Sequence, residues 1–290
     1  MKKYLIVTDS TTDLPVEYAE DNDLLVLPLS FMIDGVTYKN YLDNRDMCCG
    51  EFYSKVKSGV NIKTSQIIPS DCYELFEECI VKGYGVLGLF FSSALSGTYN
   101  SARIAYEQIL DNYPDANIKI IDSLCASMGE GLLVHYAVEA LKNGMSLEDN
   151  VKYIESLKLK IAHWFTVMDM DTLKRGGRIS ASAAFFAKTL HINPVLHVSN
   201  EGKLVAKMKK IGRKSALHTL ADKFVETYDK DKNRVVFISH SESLEDVELL
   251  KKLIEEKSGI NQFLVSNVGP VIGAHCGIGT VALFFVANSR

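Results

Sequence analysis

A chain of 290 residues, 47% hydrophobic and 23% charged, carries enough apolar surface for two domains with substantial cores. Its formal net charge of −4 excludes a whole-molecule basic field and argues against nucleic acid as the main partner. Six cysteines at irregular spacing, none in a C-x-x-C pair, argue against a disulfide framework and point to reduced thiols in a cytoplasmic protein.

Tyr4–Thr8 reads as a short strand, too brief for the apolar core of a secretory signal. Asp13-Leu14-Pro15 opens a short helix, with a capping residue and a proline in the first turn. Leu24–Leu29 is the next strand, and Met32-Ile33-Asp34-Gly35-Val36 has a hairpin character. Helices are expected over Asp46–Lys57 and from Ser70-Asp71 to about Lys82. Val86–Phe91 is an apolar strand that stops in Ser92-Ser93-Ala94-Leu95-Ser96-Gly97-Thr98. Beyond it Tyr99, Ala102, Ala105 and Ile109 form a helical stripe. Strand Ile118–Ile121 and helices near Gly129–Asn143 and Leu147–Leu159 follow. This alternation predicts an α/β fold with a mainly parallel first sheet covered on both faces.

A boundary near residue 160 divides the chain into an N-terminal α/β domain, 1–160, and a C-terminal one, 161–290, with a smaller mixed sheet. In the second part His163–Met168 is a strand, and Leu173–Leu190 is a helix interrupted by Gly176-Gly177. Val195–Val198 and Lys203–Met208 pair across the turn Ser199–Gly202. Helix Ser215–Tyr228, strand Val235–Ser239, helix Leu244–Ser258 and strands near Phe263–Val265 and Thr280–Phe285 complete the pattern. Val268–Ala287 holds no Asp, Glu, Lys or Arg over twenty residues, yet its four glycines, Pro270 and His275 favour buried strands and turns over a membrane helix.

Four segments end apolar runs in hydroxyl, amide or imidazole groups: Thr8–Asp13, Lys63-Thr64-Ser65-Gln66, Ser92–Thr98 and Gly273-Ala274-His275-Cys276-Gly277. In open parallel sheets ligands sit beyond the carboxyl ends of strands, so these segments are the place for a site. The turn after Phe91 joins a strand to a helix N-terminus, where backbone N–H groups and hydroxyls can hold an anion. No G-x-x-x-x-G-K-[ST] or G-x-G-x-x-G accompanies it, so nucleotide binding through the usual phosphate loops has no support. Hydroxyls with one imidazole suit a single carboxylate; they also suit a Ser–His nucleophile, although no G-x-S-x-G elbow is present. Adjacent His275 and Cys276 cannot readily share one tetrahedral metal, and no H-x-x-H spacing exists, so no metal or other cofactor is expected.

Two basic runs, Lys174–Arg178 and Lys203–Lys214, stand out in an acidic chain and suggest a partner-docking patch. Arg175, Arg178, Lys209, Lys210 and Arg213 are its candidate residues.

Together these motifs resemble the DegV family of bacterial lipid-binding proteins. The resemblance runs through Val7-Thr8-Asp9-Ser10-Thr11, Thr64-Ser65-Gln66, Ser92-Ser93-Ala94-Leu95-Ser96-Gly97-Thr98-Tyr99, Asp122-Ser123, Gly176-Gly177-Arg178-Ile179 and Gly269–His275. Departures are Ile67-Ile68 where the family commonly has proline after Thr-Ser-Gln, Asn193 before Pro194, and Ile211 where many members carry arginine.

The resemblance implies a two-domain carrier that buries one long-chain fatty acid, with its carboxylate at the domain junction. Thr64 and Ser93 would hold the carboxylate from the first domain and His275 from the second, with Ser65 and Ser92 close by. A separate fatty acid kinase would phosphorylate the acid for phospholipid synthesis, so the chain itself would not be an enzyme. A carrier of this kind has no transmembrane segment and would touch membrane surfaces only transiently. Phe185, Phe186, Leu190 and Ile192 are candidates for the acyl tunnel. The alternatives are an acyl hydrolase or transferase using Ser93 and His275, or a lipid-responsive regulatory protein.

Overall fold

Strand β1 (Tyr4–Asp9) is buried along nearly its whole length because it lies inside a parallel sheet with layers on both faces. A computed structural model describes residues 3–179 and 192–290. The first sheet runs β2 (Leu25–Leu27), β1, β6 (Gly85–Phe90), β7 (Ile118–Asp122), all parallel. Alternate residues of its strands serve different cores. Val7, Val86 and Phe90 pack toward α3 (Pro69–Val81) and α4 (Thr98–Asn112). Ile6, Leu87 and Leu89 face α5 (Met128–Lys142). Fully burying side chains of this size stabilises by about 1.5–3 kcal/mol each.

The helix α5 is the centre of the molecule. It touches β1 and β6 on one side and, on the other, the second sheet's β8 (Ile161–Thr166), β11 (Val236–His240) and β13 (Val281–Val286). Its sequence accordingly lacks a polar stripe: Leu132, Leu133, Val134, Ala137 and Val138 are all buried.

The second sheet has the order β10 (Leu204–Ile211), β9 (Ile192–Val198), β8, β13, β11, β12 (Phe263–Asn267), with only β11 and β12 parallel. Phe237 and Phe284 face the core that includes α5, while Ile238, Leu283 and Phe285 pack with α8 (Arg213–Thr227) and α9 (Leu244–Ser258). It is mixed as expected, but six strands make it larger than the four-stranded parallel sheet. The hairpin Met32–Val36 lies apart from the parallel sheet. It forms β3 (Ser30–Ile33) and β4 (Val36–Lys39), which join β5 (Ile62–Ser65) in a separate antiparallel sheet. Helix α2 (Cys49–Lys57) packs on that sheet through Phe52 and Tyr53.

Two local expectations change. Asp13 does not open a helix: it closes a short 3-10 turn over Ser10–Thr12 with φ of 52°, and α1 (Val16–Asp21) begins after Pro15. Val268–Ala287 reads in sequence as buried strands and turns, yet Pro270–Cys276 is a helix, α10. The helix predicted over Leu173–Leu190 is seen as α7 (Met170–Arg175), and 180–191 lie outside the described residues. Among the described residues no helix is long and apolar enough to cross a membrane.

Candidate functional site

Helix α10 exists because both of its ends are specified. Pro270 occupies its first turn, where a missing N–H costs nothing, and Gly277 stops it at φ of 73°. Residues of the first half fasten it. Asp13 Oδ1 accepts from Gly269 N at 2.9 Å, and Asn40 Oδ1 accepts from Val271 N at 3.0 Å. Tyr53 Oη donates to the Val268 carbonyl at 2.7 Å. The first two bonds satisfy backbone donors at the start of the helix, the third satisfies a carbonyl just before it, and together they fix where its last turn points.

That last turn carries His275, whose Nε2 lies 2.8 Å from Oγ1 of Thr64 on β5. A Cβ on Gly176 would lie 2.3 Å from His275 Nδ1, so the glycine after α7 is what lets the imidazole seat there. Burial holds His275 down to about 4, with the Arg178 guanidinium adding to the effect, so the ring is neutral near pH 7. Arg178 Nε donates to the Leu95 carbonyl at 3.1 Å, and its guanidinium also donates to the Gly176 carbonyl.

The serine turn after β6 is folded differently from expectation. Ser92 is fully buried and donates from Oγ to the Gly202 carbonyl at 2.9 Å, docking the β9–β10 turn. Ser93 is exposed, and its N–H donates to Asp122 Oδ1 at 3.1 Å. The backbone donors of Ser92, Ala94, Leu95, Ser96 and Thr98 are also satisfied within the protein, so they are not available to an anion. Ser92 and Ser93 therefore do not reach the cavity, and the same turn supplies Ser96 and Gly97 instead. Gly97 packs against the Gln66 carboxamide: a Cβ there would lie 1.9 Å from Gln66 Oε1 and displace the end of that side chain.

Thr64, Ser65, Gln66, Ser96, Arg178 and His275 line one cavity of about 380 Å³. Its remaining walls are mainly apolar, with Phe91, Phe165, Leu173, Val198, Val271 and Phe284 among them. Ser127, Ser239 and His163 line it as well. One polar group-lined end opening onto apolar walls is the form of a site for an amphipathic ligand. A wider groove of about 1020 Å³ beside Tyr4, Tyr41 and Leu75 contains neither Thr64 nor His275 and mixes charges of both signs.

The other sequence candidates scatter. Arg178, assigned in sequence to a docking patch, lines the cavity, whereas Arg175 is exposed on α7. Lys209 and Lys210 lie on β10 opposite Pro194 and Asn193, and Arg213 Nε donates to Asp246 Oδ2 at 2.8 Å. Ile192 begins β9 and is not a lining residue; Phe185, Phe186 and Leu190 lie outside the described residues. Among the described residues no group of three or more His, Cys, Asp or Glu is placed to hold a metal.

The segment Thr8–Asp13 proves to be a buried junction. Asp9 accepts from Thr11 and from Phe91 N, Glu130 accepts from Thr8 and Thr11, and Asp13 accepts from Ser127 and Gly269 N. Burial pushes all three carboxyl groups up, Asp13 to about 7, and the neighbouring Asp9 charge raises Glu130 further. Sequence reading missed Glu130, which sits in an apolar helix three residues after Ser127; an acid amid such residues was the available signal. It also missed the cavity roles of Ser96, Gln66, Ser127, Ser239 and His163.

Comparison with known proteins places this geometry in a wider set. A DegV domain-containing protein of Clostridium perfringens is 42% identical over 290 residues, covering 100% of this chain and 99% of that protein. A solved structure described as a fatty acid binding DegV family protein from Streptococcus agalactiae is similar with a TM-score of 0.87 at 29% identity, covering 100% of both chains. DegV from Bacillus subtilis, described as a fatty acid binding protein, gives 0.84 at 29% identity, over 99% of this chain and 100% of that one. The family model described as "Uncharacterised protein, DegV family" matches residues 3–288. With the two α/β halves and the shared cavity between their elements, that match settles the lineage: the chain belongs to the DegV family.

Proposed function

We propose that this protein is a fatty-acid carrier. It binds one long-chain acid with the carboxylate at Thr64 and His275 and presents it to a separate fatty acid kinase for phosphorylation, ahead of phospholipid synthesis. The observation that carries this reading is the 2.8 Å pairing of Thr64 Oγ1 with His275 Nε2 at the polar end of an otherwise mainly apolar cavity. Ser65 and Ser96 add hydroxyls there, and Arg178 adds the fixed positive charge that a carboxylate favours. Each buried CH₂ contributes roughly 0.8 kcal/mol, so the acyl chain supplies most of the affinity and the polar end sets orientation. Solved relatives described as fatty acid binding support the reading.

The same pair argues against acyl transfer. An imidazole held near 4 is too weak a base to take a proton from a threonine hydroxyl. His275 Nδ1 faces Gly176, and Ser93 does not share the cavity with the ring. Arg175, Lys209, Lys210 and Arg213 remain the proposed kinase-docking residues.

Mass spectrometry of organic extracts of the purified protein tests the carrier reading: one long-chain acid per chain is expected. Protein that neither contains nor takes up fatty acid overturns it. Lys210→Glu with Arg175→Glu is expected to lower kinase-dependent acyl phosphate formation while the lipid stays bound.

A further inference from the structure

The cavity has a second polar pole. Ser127, Ser239 and His163 line it together, and each is more than nine-tenths buried, with exposures of 6%, 0% and 1%. They belong together: Ser127 Oγ lies 2.9 Å from Ser239 Oγ, and His163 Nε2 accepts from Ala126 N at 3.3 Å, beside Ser127. This pole is remote from Thr64. Ser127 bonds Asp13, which in turn accepts from Gly269 N at the start of α10, whereas His275 lies in the last turn. Six residues of helical rise separate those ends by about 9 Å.

The hydrogen bonds of this pole leave Ser239 with capacity to spare. Gly269 N donates to Asp13 Oδ1, and Ser127 donates to Oδ2. Either hydroxyl of the Ser127–Ser239 pair can donate to the other, and in either direction Ser239 Oγ keeps hydrogen-bonding capacity, a proton or lone pairs, beyond that bond. His163 Nδ1 lies 2.9 Å from the Ile161 carbonyl, which only accepts, so Nδ1 carries the proton and the single lone pair of Nε2 is taken by Ala126 N. A buried hydroxyl with unused hydrogen-bonding capacity is disfavoured beside a plain hydrocarbon and favoured beside a ligand hydroxyl, which both donates and accepts.

Resting on the fatty-acid reading above, we infer that Ser239 and Ser127, beside His163, form a subsite for a hydroxyl on the acyl chain, so that the protein accepts long-chain acids hydroxylated away from the carboxylate.

Stearic acid and 10-hydroxystearic acid are the probes, titrated by competition against a fluorescent fatty acid. Wild-type protein is expected to bind the hydroxy acid at least as tightly as stearate. Ser239→Ala is expected to shift the affinity ratio about tenfold toward stearate, and Ser239→Thr, which keeps a hydroxyl, to restore it. Wild-type protein alone supplies a second readout, since 2-hydroxystearate should gain nothing. A tenfold preference of wild type for stearate, a ratio unmoved by Ser239→Ala in folded protein, or equal gain from a hydroxyl at either position overturns the subsite. Stearate binding in those cases leaves the carrier reading standing; binding of neither acid overturns both.

Discussion

Thr64 Oγ1 and His275 Nε2 meet at 2.8 Å although 211 positions separate them in the chain. One sits on a strand of the small antiparallel sheet and the other on a helix pinned by Asp13, Asn40 and Tyr53. Neither segment positions the pair alone; the contact requires the first half of the chain to hold α10 in place.

Thr64→Val keeps the shape of the side chain and removes its hydroxyl. Fatty-acid affinity is expected to fall about tenfold, the cost of one hydrogen bond to a charged group, with little change in thermal midpoint. Ser96→Ala is expected to weaken binding in the same direction. Ser93→Ala is expected to leave it unchanged, because Ser93 is exposed and outside the cavity. Calorimetric titration of the three variants distinguishes the geometry from the serine pattern: a loss confined to Ser93→Ala contradicts it.

The same contrast shows what the sequence could reveal. Strands and helices with strong periodicity, such as β6, α4 and α9, were legible because one face of each is apolar at the right spacing. Thr64 and His275 were legible as polar residues ending apolar segments. The choice of Ser96 over Ser93 was not, because Gly202, Cys125 and Asp122 orient the turn from distant positions. Helix α10 was hidden by its glycines and β-branched residues; proline, a terminating glycine and tertiary bonds make it helical. Arg178 read as surface charge because a glycine pair precedes it, and those glycines turn it inward beside His275.

His275 links binding to protons. In the free protein its ring is held down to about 4 by burial. A carboxylate placed against Nε2 favours the imidazolium, so its pKa rises on binding and protons are taken up. Affinity through this group is therefore expected to be level above the bound-state value and to strengthen as pH falls below it toward about 4. Calorimetry at pH 6 in buffers of different ionisation enthalpy measures the uptake. It should be positive in wild type and near zero in His275→Gln; no uptake in wild type would mean the neutral ring donates instead.

Gly176→Ala tests the seat of the imidazole. The backbone there has φ of −69°, which alanine adopts freely, so the only new feature is a Cβ 2.3 Å from His275 Nδ1. The ring must swing away from Thr64. Affinity is expected to fall about as far as in His275→Ala, with thermal stability within about 1 kcal/mol of wild type. Full affinity in the alanine variant would show that the ring position is not needed.

Asp13 ties the junction to pH. Its carboxyl is raised from 3.8 to about 7, chiefly by burial and in small part by Asp9, against bonds from Ser127 and Gly269 that lower it. The folded state thus binds more protons than the unfolded chain between about 4 and 7. The stability this group contributes is complete below about 4 and is lost as pH rises through 7. Buried histidines pull the other way. His197 and His275, both lowered to about 4, stabilise above their ordinary 6.5, and that contribution disappears as pH falls toward 4. Wild-type stability alone therefore mixes opposing slopes, and a difference between two proteins sharing those histidines isolates the acid. Asp13→Asn keeps a carbonyl for Gly269 N and removes the titration. Its stability relative to wild type is expected to improve by about 2–3 kcal/mol between pH 5 and pH 8, read from urea midpoints. Parallel pH profiles for the two proteins would show that Asp13 ionises freely and that the junction carries no proton linkage.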